Sequence, residues 1–347
     1  MSWKQFNRVI RALTGIVVSL LIVTVLVLGV AYACGLIGKE AGEDTSVSSL
    51  PSSAAAAPSA GTGADSEASL VLSVEVLDVG QGLSVLITCG EESLLYDAGD
   101  YGFEDVVAKR MRELGIGKRS DFGILSGRKS LTYMVASHYD SDHVAGFNHL
   151  LKEDFTYPDH FIGPDYIADT PTYRNLMEQL QKAELSVVSP GYLDYFYLGP
   201  AKVTVLSDKT KNYEDENDQS IALLVSYGEF NLFLGGDLGL IPEREIAERY
   251  ELPKGLIYVS DHHGSGFSSD EEFFVKMQPS AVIFSCGRDN DYGHPAQRVL
   301  KLCETYNKVY RTDLQGTIRL RTDGKQVQFE KDGVLVERKS GGNNEIR

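Results

Sequence analysis

The sequence predicts an α/β fold in which two packed β-sheets are covered by helices on both outer faces. Three observations lead to this prediction: the strands are short and apolar, they fall into two groups, and each group has its own amphipathic helices. The 347 residues, 43% hydrophobic and 24% charged, have the composition of a globular protein and are enough for one large domain.

The first group of strands opens with an alternating segment that ends at Asp78. Two strands follow it across a turn, and a fourth strand ends directly before a polar cluster. These predictions place strands at 69–78, 82–90, 92–100 and 131–137 and helices at 103–114, 144–151 and 172–183.

The second group contains an apolar hairpin that turns at Gly228 and Glu229, followed by strands that alternate with helices. A last hairpin, which turns at Asp323-Gly324, closes the domain. The predicted strands are 202–206, 221–227, 230–234, 256–260 and 281–285, and the predicted helices are 242–250, 270–277 and 295–306.

Residues 1–38 are predicted to form a cytoplasmic basic stub and a transmembrane helix. The stub contains three basic residues and no acidic one, and the nearly uncharged run 16–38 is long enough to span a membrane. The positive-inside rule places everything after Lys39 outside the cytoplasm. Two alternatives stay open, cleavage of a signal segment after Ala33 and lipid modification of Cys34, and both give the same location.

Residues 39–69 are predicted to be a disordered linker. Ser, Ala, Gly, Pro and acidic residues dominate this stretch, so it can bury too little apolar surface to offset the entropy of ordering. The folded domain is placed at 70–335 and a flexible tail at 336–347.

The formal net charge of −16 predicts an acidic surface, which favours solubility and repels nucleic acid at long range. An anionic substrate therefore requires bound cations at the site. The four cysteines form no CxxC pair. Cys89, Cys286 and Cys303 are taken as small core residues, with a Cys286–Cys303 bridge as the alternative.

Two histidines and two aspartates stand within six positions in "HYDSDH", directly after the predicted strand 131–137. Capping of the following helix explains one of the acidic residues but neither histidine. Imidazole and carboxylate groups this close together suit Zn²⁺, Mn²⁺ or Fe²⁺. The sequence therefore predicts metal binding by the four side chains of His138, Asp140, Asp142 and His143.

Polar residues also follow three later strands. Asp237 comes after two glycines at the end of an apolar strand, where a carboxylate that bridges two metals fits. The pair His262-His263 is followed by glycine, and His294 is a candidate ligand or substrate contact. Such groups are costly to bury unless paired or metal-bound, and loops at strand ends commonly carry functional sites.

Six motifs occur in this order: "LDVGQGLSVLI", "LLYDAGD", "SHYDSDHVAGF", "NDQSIALLVSYGEFNLFLGGDLG", "DHHGSG" and "YGHP". In this order they resemble the metallo-β-lactamase-fold domain of the ComEC-type competence proteins and their stand-alone relatives. The resemblance covers about residues 70–320. It implies an αββα sandwich with the metal site at the edge between the two sheets.

The resemblance implies a role for each matching residue. His138 and Asp140 match the first-metal pair, Asp142 and His143 match the second-metal pair, and Asp237 matches the bridging aspartate. The first site lacks the downstream histidine of many superfamily members. One or two divalent ions are therefore expected, zinc or manganese, and oxygen ligands favour manganese at the first site.

Supporting residues are also implied. His263 is expected to be a metal ligand, and His262 to support the site or contact substrate. Asp78 resembles the family's first-strand aspartate, which supports the site without binding metal. The segment 217–220 stands near the place of the missing histidine.

These residues support hydrolysis by a metal-activated water that attacks an ester phosphorus or a carbonyl carbon. Asp142 or Asp237 is expected to orient that water or take its proton, and His262 and His294 to stabilise developing charge. The expected substrate contacts are Asn217, Ser220, Ser265, Tyr292 and His294.

The predicted protein is thus a membrane-anchored, extracytoplasmic phosphodiesterase, nuclease-like, with DNA as one candidate substrate and no obligate protein partner. The sequence has no run of Lys, Arg and aromatic residues suited to tracking a strand. A hydrolase of small phosphoesters, such as choline phosphate on cell-surface polymers, is therefore a rival. Hydrolysis of a β-lactam or thioester is a third alternative, and a non-catalytic, metal-stabilised surface binding module is a fourth.

Overall fold

A computed structural model of the chain describes residues 71–117, 130–152, 158–304, 308–331 and 334–336. The predicted stub, anchor or signal segment and linker at 1–69 lie outside these ranges, as does the predicted tail beyond 336. Among the described residues, no helix is both long enough and apolar enough to cross a membrane.

The described part of the chain contains two β-sheets. Their strands are β1 (Leu72–Val76), β2 (Val85–Cys89), β3 (Glu92–Tyr96), β4 (Ser130–Val135), β5 (His160–Ile162), β6 (Val187–Val188), β7 (Tyr195–Leu198), β8 (Ala201–Val205), β9 (Leu223–Tyr227), β10 (Phe230–Leu234), β11 (Ile257–Val259), β12 (Ala281–Phe284), β13 (Val309–Arg311), β14 (Ile318–Thr322), β15 (Val327–Lys331) and β16 (Val334–Val336).

Helices connect many of these strands. In chain order they are α1 (Glu104–Glu113), α2 (Ser141–Lys152), α3 (Pro171–Lys182), α4 (Leu240–Arg249), α5 (Glu271–Met277), α6 (Gln297–Glu304) and α7 (Thr312–Gln315). Two short 3-10 turns, Asn217–Gln219 and Asp261–Gly264, follow β8 and β11.

The first sheet has the strand order β16-β15-β14-β1-β2-β3-β4-β5-β6, and the second has the order β13-β12-β11-β10-β9-β8-β7. Each sheet combines antiparallel hairpins with a parallel region. Neighbouring strands run parallel from β3 through β6 in the first sheet and from β10 through β13 in the second. The last hairpin pairs β14 antiparallel with β1, which places the end of the domain beside its beginning.

Alternating side chains of the strands build three apolar layers. In β2, Val85 and Ile87 belong to the layer between the two sheets, whereas Leu86 packs with the helices α1, α2 and α3. A third layer packs α4, α5 and α6 on the outer face of the second sheet. The architecture is therefore the predicted αββα sandwich.

The main difference from the predicted elements is the start of α2. We predicted a loop up to residue 143 and a helix from Val144, but the helix begins at Ser141. The backbone N–H groups of His143 and Val144 both donate to the carbonyl of Asp140. Asp142 and His143 therefore lie on the first turn of a helix, and that part of the prediction was wrong.

The short strands β5, β6, β7 and β13, each of two to four residues, were not predicted. Cys89, Cys286 and Cys303 are buried, which confirms them as core residues. Cys286 and Cys303 form no disulfide with each other, so the alternative bridge is wrong.

Candidate metal centre

The candidate site lies where the ends of strands from both sheets come together. Asp97 directly follows β3, and the segment 136–143 follows β4 in the first sheet. Asp237 follows β10, and the 3-10 turn with His262 and His263 follows β11 in the second sheet. Because neighbouring parallel strands end at the same edge, the fold brings residues far apart in sequence to one place.

Four side chains form the centre of this site. One ligand atom from each of Asp142, His143, Asp237 and His263 lies within 4.8 Å of the others. The Nε2 atom of His143 is 3.2 Å from Oδ1 of Asp237. The Nε2 atom of His263 is 3.3 Å from Oδ2 of Asp142 and 3.5 Å from Oδ2 of Asp237.

Hydrogen bonds on the far side of both rings fix their orientation. The Nδ1 atom of His143 is 2.8 Å from Oδ2 of Asp97, and Nδ1 of His263 is 2.9 Å from the carbonyl oxygen of Ser285. A carbonyl only accepts, so Nδ1 of His263 carries a proton. With Nδ1 protonated in both rings, each Nε2 is left as the ligand atom, the arrangement expected around a metal.

The ligand atoms lack other partners. Nε2 of His138, His143 and His263 and Oδ1 of Asp237 are buried and make no hydrogen bond of suitable geometry. Leaving several buried polar atoms unsatisfied is costly, and one cation among the atoms of His143, His263 and Asp237 would satisfy these three at once. Two imidazoles with two carboxylates also suit a divalent transition metal. The residues therefore fit the metal that the sequence predicts.

Electrostatics also favour a cation. Burial by itself would lower the pKa of His263, but Asp237 and Asp142 outweigh burial and raise that pKa to about 10. Burial would likewise lower the pKa of His143, but Asp237, Asp97 and Asp142 raise it well above its usual value. The carboxylates thus keep protons on both rings, and a divalent ion would replace those protons.

The two predicted first-metal residues lie beside this cluster. His138 is fully buried, with its ring centroid 4.2 Å from that of His143 and its Nε2 3.8 Å from Oδ2 of Asp140. Burial and His143 lower the pKa of His138 to about 3, so this imidazole is neutral and able to act as a ligand. The half-exposed Asp140 has its pKa raised to about 6 by burial and by Asp142.

The expected substrate contacts divide into two groups. Ser220 is fully buried, and its hydroxyl accepts a hydrogen bond from the N–H of Asp237 and lies 3.4 Å from Nδ1 of His138. Ser265 is also buried, and its hydroxyl accepts from the N–H of Phe267. Both hydroxyls are thus engaged by backbone N–H groups of the protein itself, and contact of Ser220 and Ser265 with substrate stays a prediction.

Of the other expected contacts, Tyr292 and His294 lie beside the cluster and, together with His262, form what we call the mouth of the site. Asn217 begins the 3-10 turn after β8. Tyr292 is 72% exposed and stacks on His294 with ring centroids 5.6 Å apart. The ring of His294 is 5.8 Å from that of His262, and Nε2 of His262 is 3.7 Å from Oδ2 of Asp237.

Sequence reasoning missed Asp97. This carboxylate is fully buried and accepts hydrogen bonds from the N–H and hydroxyl of Ser137, both at 2.7 Å, besides its contact with His143. The carboxylate of Asp78, which we expected to support the site, accepts from the N–H of Gly80 at 3.5 Å, whereas Asp97 contacts the ligand His143 directly. The motif "LLYDAGD" was the available signal.

The profile of the metallo-beta-lactamase superfamily matches residues 77–284, well over half of the chain. The chain belongs to this superfamily. Its fold, its strand-end cluster and its order of metal-ligand candidates agree with that membership.

The curated relatives of this metallo-beta-lactamase domain are competence and recombination proteins. The chain is 27% identical over 256 residues to "ComE operon protein 3" of Bacillus subtilis (strain 168). The aligned region covers 72% of this chain and 33% of that protein. It is 30% identical over 255 residues to "Competence protein ComA" of Neisseria gonorrhoeae, covering 71% and 32%.

A third relative is "Recombination protein 2" of Haemophilus influenzae, 28% identical over 248 residues, covering 71% of this chain and 28% of that protein. These matches confirm the resemblance to the ComEC-type branch. The chain spans about a third of the length of the curated relatives it matches.

Proposed function

We propose that this protein is a membrane-anchored, extracytoplasmic, metal-dependent hydrolase of phosphodiester bonds. The observation that carries the proposal is the convergence of unbonded histidine nitrogens and carboxylate oxygens on one buried point, with Asp142 and His262 partly exposed beside it. A divalent ion held there supplies Lewis acidity and lowers the pKa of a coordinated water toward neutrality.

The chain's own residues divide the remaining work. Asp142, His143, Asp237 and His263 would hold the ion. Of the two acidic ligands, Asp142 is 28% exposed and Asp237 only 5%, so we assign acceptance of the nucleophile's proton to Asp142 and orientation to Asp237.

The mouth of the site is suited to an anionic substrate. His294 is neutral, because burial and then His263 and His262 lower its pKa to about 4, and a neutral imidazole N–H can donate to a phosphate or leaving-group oxygen. His262 lies beside it at 28% exposure. Asn217 and the exposed ring of Tyr292 are assigned to contact the parts of the substrate that flank the reacting phosphate.

DNA is the substrate class that we propose first. One relative is named a recombination protein, and recombination is a process on DNA. The metal site also gives this acidic chain the local positive charge that a phosphodiester needs. The apolar segment 16–38 supports the proposed anchor, with the hydrolase domain outside the membrane. Zinc and manganese are the proposed ions.

The test is metal analysis and turnover on the full-length chain, purified in detergent without chelator. Elemental analysis is paired with hydrolysis of single-stranded DNA and of a choline phosphate ester, before and after addition of Mn²⁺ or Zn²⁺. We expect DNA cleavage that rises with metal content, and its loss together with the metal in Asp237→Asn and His263→Ala.

The matched control is His149→Ala, which removes a histidine outside the cluster and should change neither quantity. Full metal occupancy without hydrolysis of any phosphoester would refute the enzymatic proposal in favour of a binding module. Cleavage of the choline phosphate ester alone would refute DNA as the substrate.

A further inference from the structure

Gln81, in the loop between β1 and β2, contacts the loop that carries His294. The amide Oε1 of Gln81 accepts a hydrogen bond from the N–H of Gly287 at 3.1 Å. The amide Nε2 lies 3.3 Å from Nδ1 of His294. The two ends of one side chain thus have partners of different kinds.

These two contacts determine where the proton of His294 resides. A backbone N–H only donates, so the atom of Gln81 that faces Gly287 must be the amide oxygen. The amide NH₂ therefore faces His294, and because an NH₂ group only donates, Nδ1 of His294 must accept. A neutral imidazole that accepts at Nδ1 carries its proton at Nε2.

The surrounding loop leaves little freedom for another arrangement. A Cβ atom at Gly287 would lie 2.8 Å from the backbone N of Gln81, so the two backbones pack closely. Asn290 donates from Nδ2 to the carbonyls of Gly287 and His294 and accepts the N–H of His294. The backbone of the loop is therefore held independently, and Gln81 acts on the ring.

We infer that Gln81 is a positioning residue that keeps His294 in the Nε2–H form, so that His294 meets the substrate as a hydrogen-bond donor and not as a base. The inference rests on the proposed function in one respect: that function identifies the atom that accepts from Nε2–H of His294 as an oxygen of the phosphoester or of its leaving group. The position of the proton itself rests only on the contacts of Gln81.

The test is ¹⁵N NMR of the full-length chain in detergent with labelled histidine, where the His294 signal is identified by its loss in His294→Asn. We expect the wild-type ring to carry its proton at Nε2. Gln81→Glu keeps the shape but offers only acceptors, so the proton should appear at Nδ1. Gln326→Glu makes the same change in an exposed glutamine of the β14–β15 turn and should leave the spectrum unchanged.

Turnover gives a second readout. We expect His294→Ala to lower kcat by about 100-fold, as for loss of one transition-state donor. Gln81→Met, which removes both amide contacts, should also lower kcat, and the double variant should be no slower than His294→Ala alone. Additive losses in the double variant would contradict the inference.

A wild-type ring protonated at Nδ1 would overturn the inference whatever the activity. A chain that hydrolyses no phosphoester would refute the proposed function, while the NMR result would still decide the role of Gln81. The two failures are therefore distinguishable.

Discussion

Replacing Asp97 with asparagine should weaken metal binding strongly while keeping the shape of the buried side chain. In the wild type, Oδ2 of Asp97 accepts from Nδ1 of His143, which leaves Nε2 free to bind metal. An asparagine NH₂ at the same place only donates, so it favours the ring form with the proton at Nε2. That proton occupies the ligand position.

The size of the effect follows from which hydrogen bonds change. In Asp97→Asn, the side-chain amide would keep the bond from the N–H of Ser137 through its oxygen, and the Ser137 hydroxyl can rotate to accept from the new NH₂. Only the hydrogen bond to His143 is therefore lost in the variant, and a hydrogen bond to a charged group is worth about 1.5–3 kcal/mol. Since about 1.4 kcal/mol is a factor of ten, metal affinity should fall about 10–100-fold.

Competition with a chelator of known affinity measures the change, and thermal unfolding of the metal-free chain shows whether Asp97→Asn still folds. Asp169→Asn is the matched control, because it removes a carboxylate whose side chain is 99% exposed. A folded Asp97→Asn variant that binds metal within about threefold of the wild type would refute the role assigned to Asp97.

Three further outcomes are expected. Gly82→Ala places a Cβ 2.5 Å from the backbone oxygen of Asp142 and should lower the unfolding free energy by about 1–3 kcal/mol in a denaturant titration. The control Gly266→Ala, whose Cβ would have no atom closer than 3.7 Å, should leave the unfolding free energy unchanged in the same titration. The pKa of His263 is raised to about 10 in the metal-free fold, so between pH 6.5 and 10 the folded chain holds a proton that the unfolded chain has lost. The unfolding free energy of the metal-free chain should therefore be highest below pH 6.5 and fall by about 1.4 kcal/mol per pH unit across that window. An unchanged Tm across the window would contradict the raised pKa of His263. Reductant should leave Tm unchanged, since Cys286 and Cys303 are buried thiols that form no disulfide with each other.

Much of the fold was predictable because strands buried on one or both faces have a clear apolar pattern. The segments that became β2, β9 and β10 illustrate this, since their burial is nearly continuous. The start of α2 was not predictable by the same means. Its first turn consists of Ser141, Asp142 and His143, polar residues that resemble a loop when only apolar spacing is considered.

The sequence drew attention to site residues where several histidines or acidic residues stand together. It did not identify single polar residues whose role depends on a contact in the folded protein. The pair His262-His263 drew attention by composition, and the structure brings His263 into the cluster while His262 stays at the mouth. Asp97 was marked only by its place in the motif "LLYDAGD", and Gln81 has no unusual neighbours in sequence. Their roles arise from contacts with His143 and His294, which tertiary structure alone brings near.

The ligand set depends on both sheets of the sandwich: Asp142 and His143 follow β4 of the first sheet, and Asp237 and His263 follow β10 and β11 of the second. An unfolded chain cannot hold four such distant groups together, so the free energy of ion binding adds to the free energy of folding. At a free ion concentration of about 100 times Kd this amounts to about 2.7 kcal/mol. In the proposed location outside the cytoplasm, where ion levels vary, the survival of this domain against proteases should therefore follow the local supply of metal.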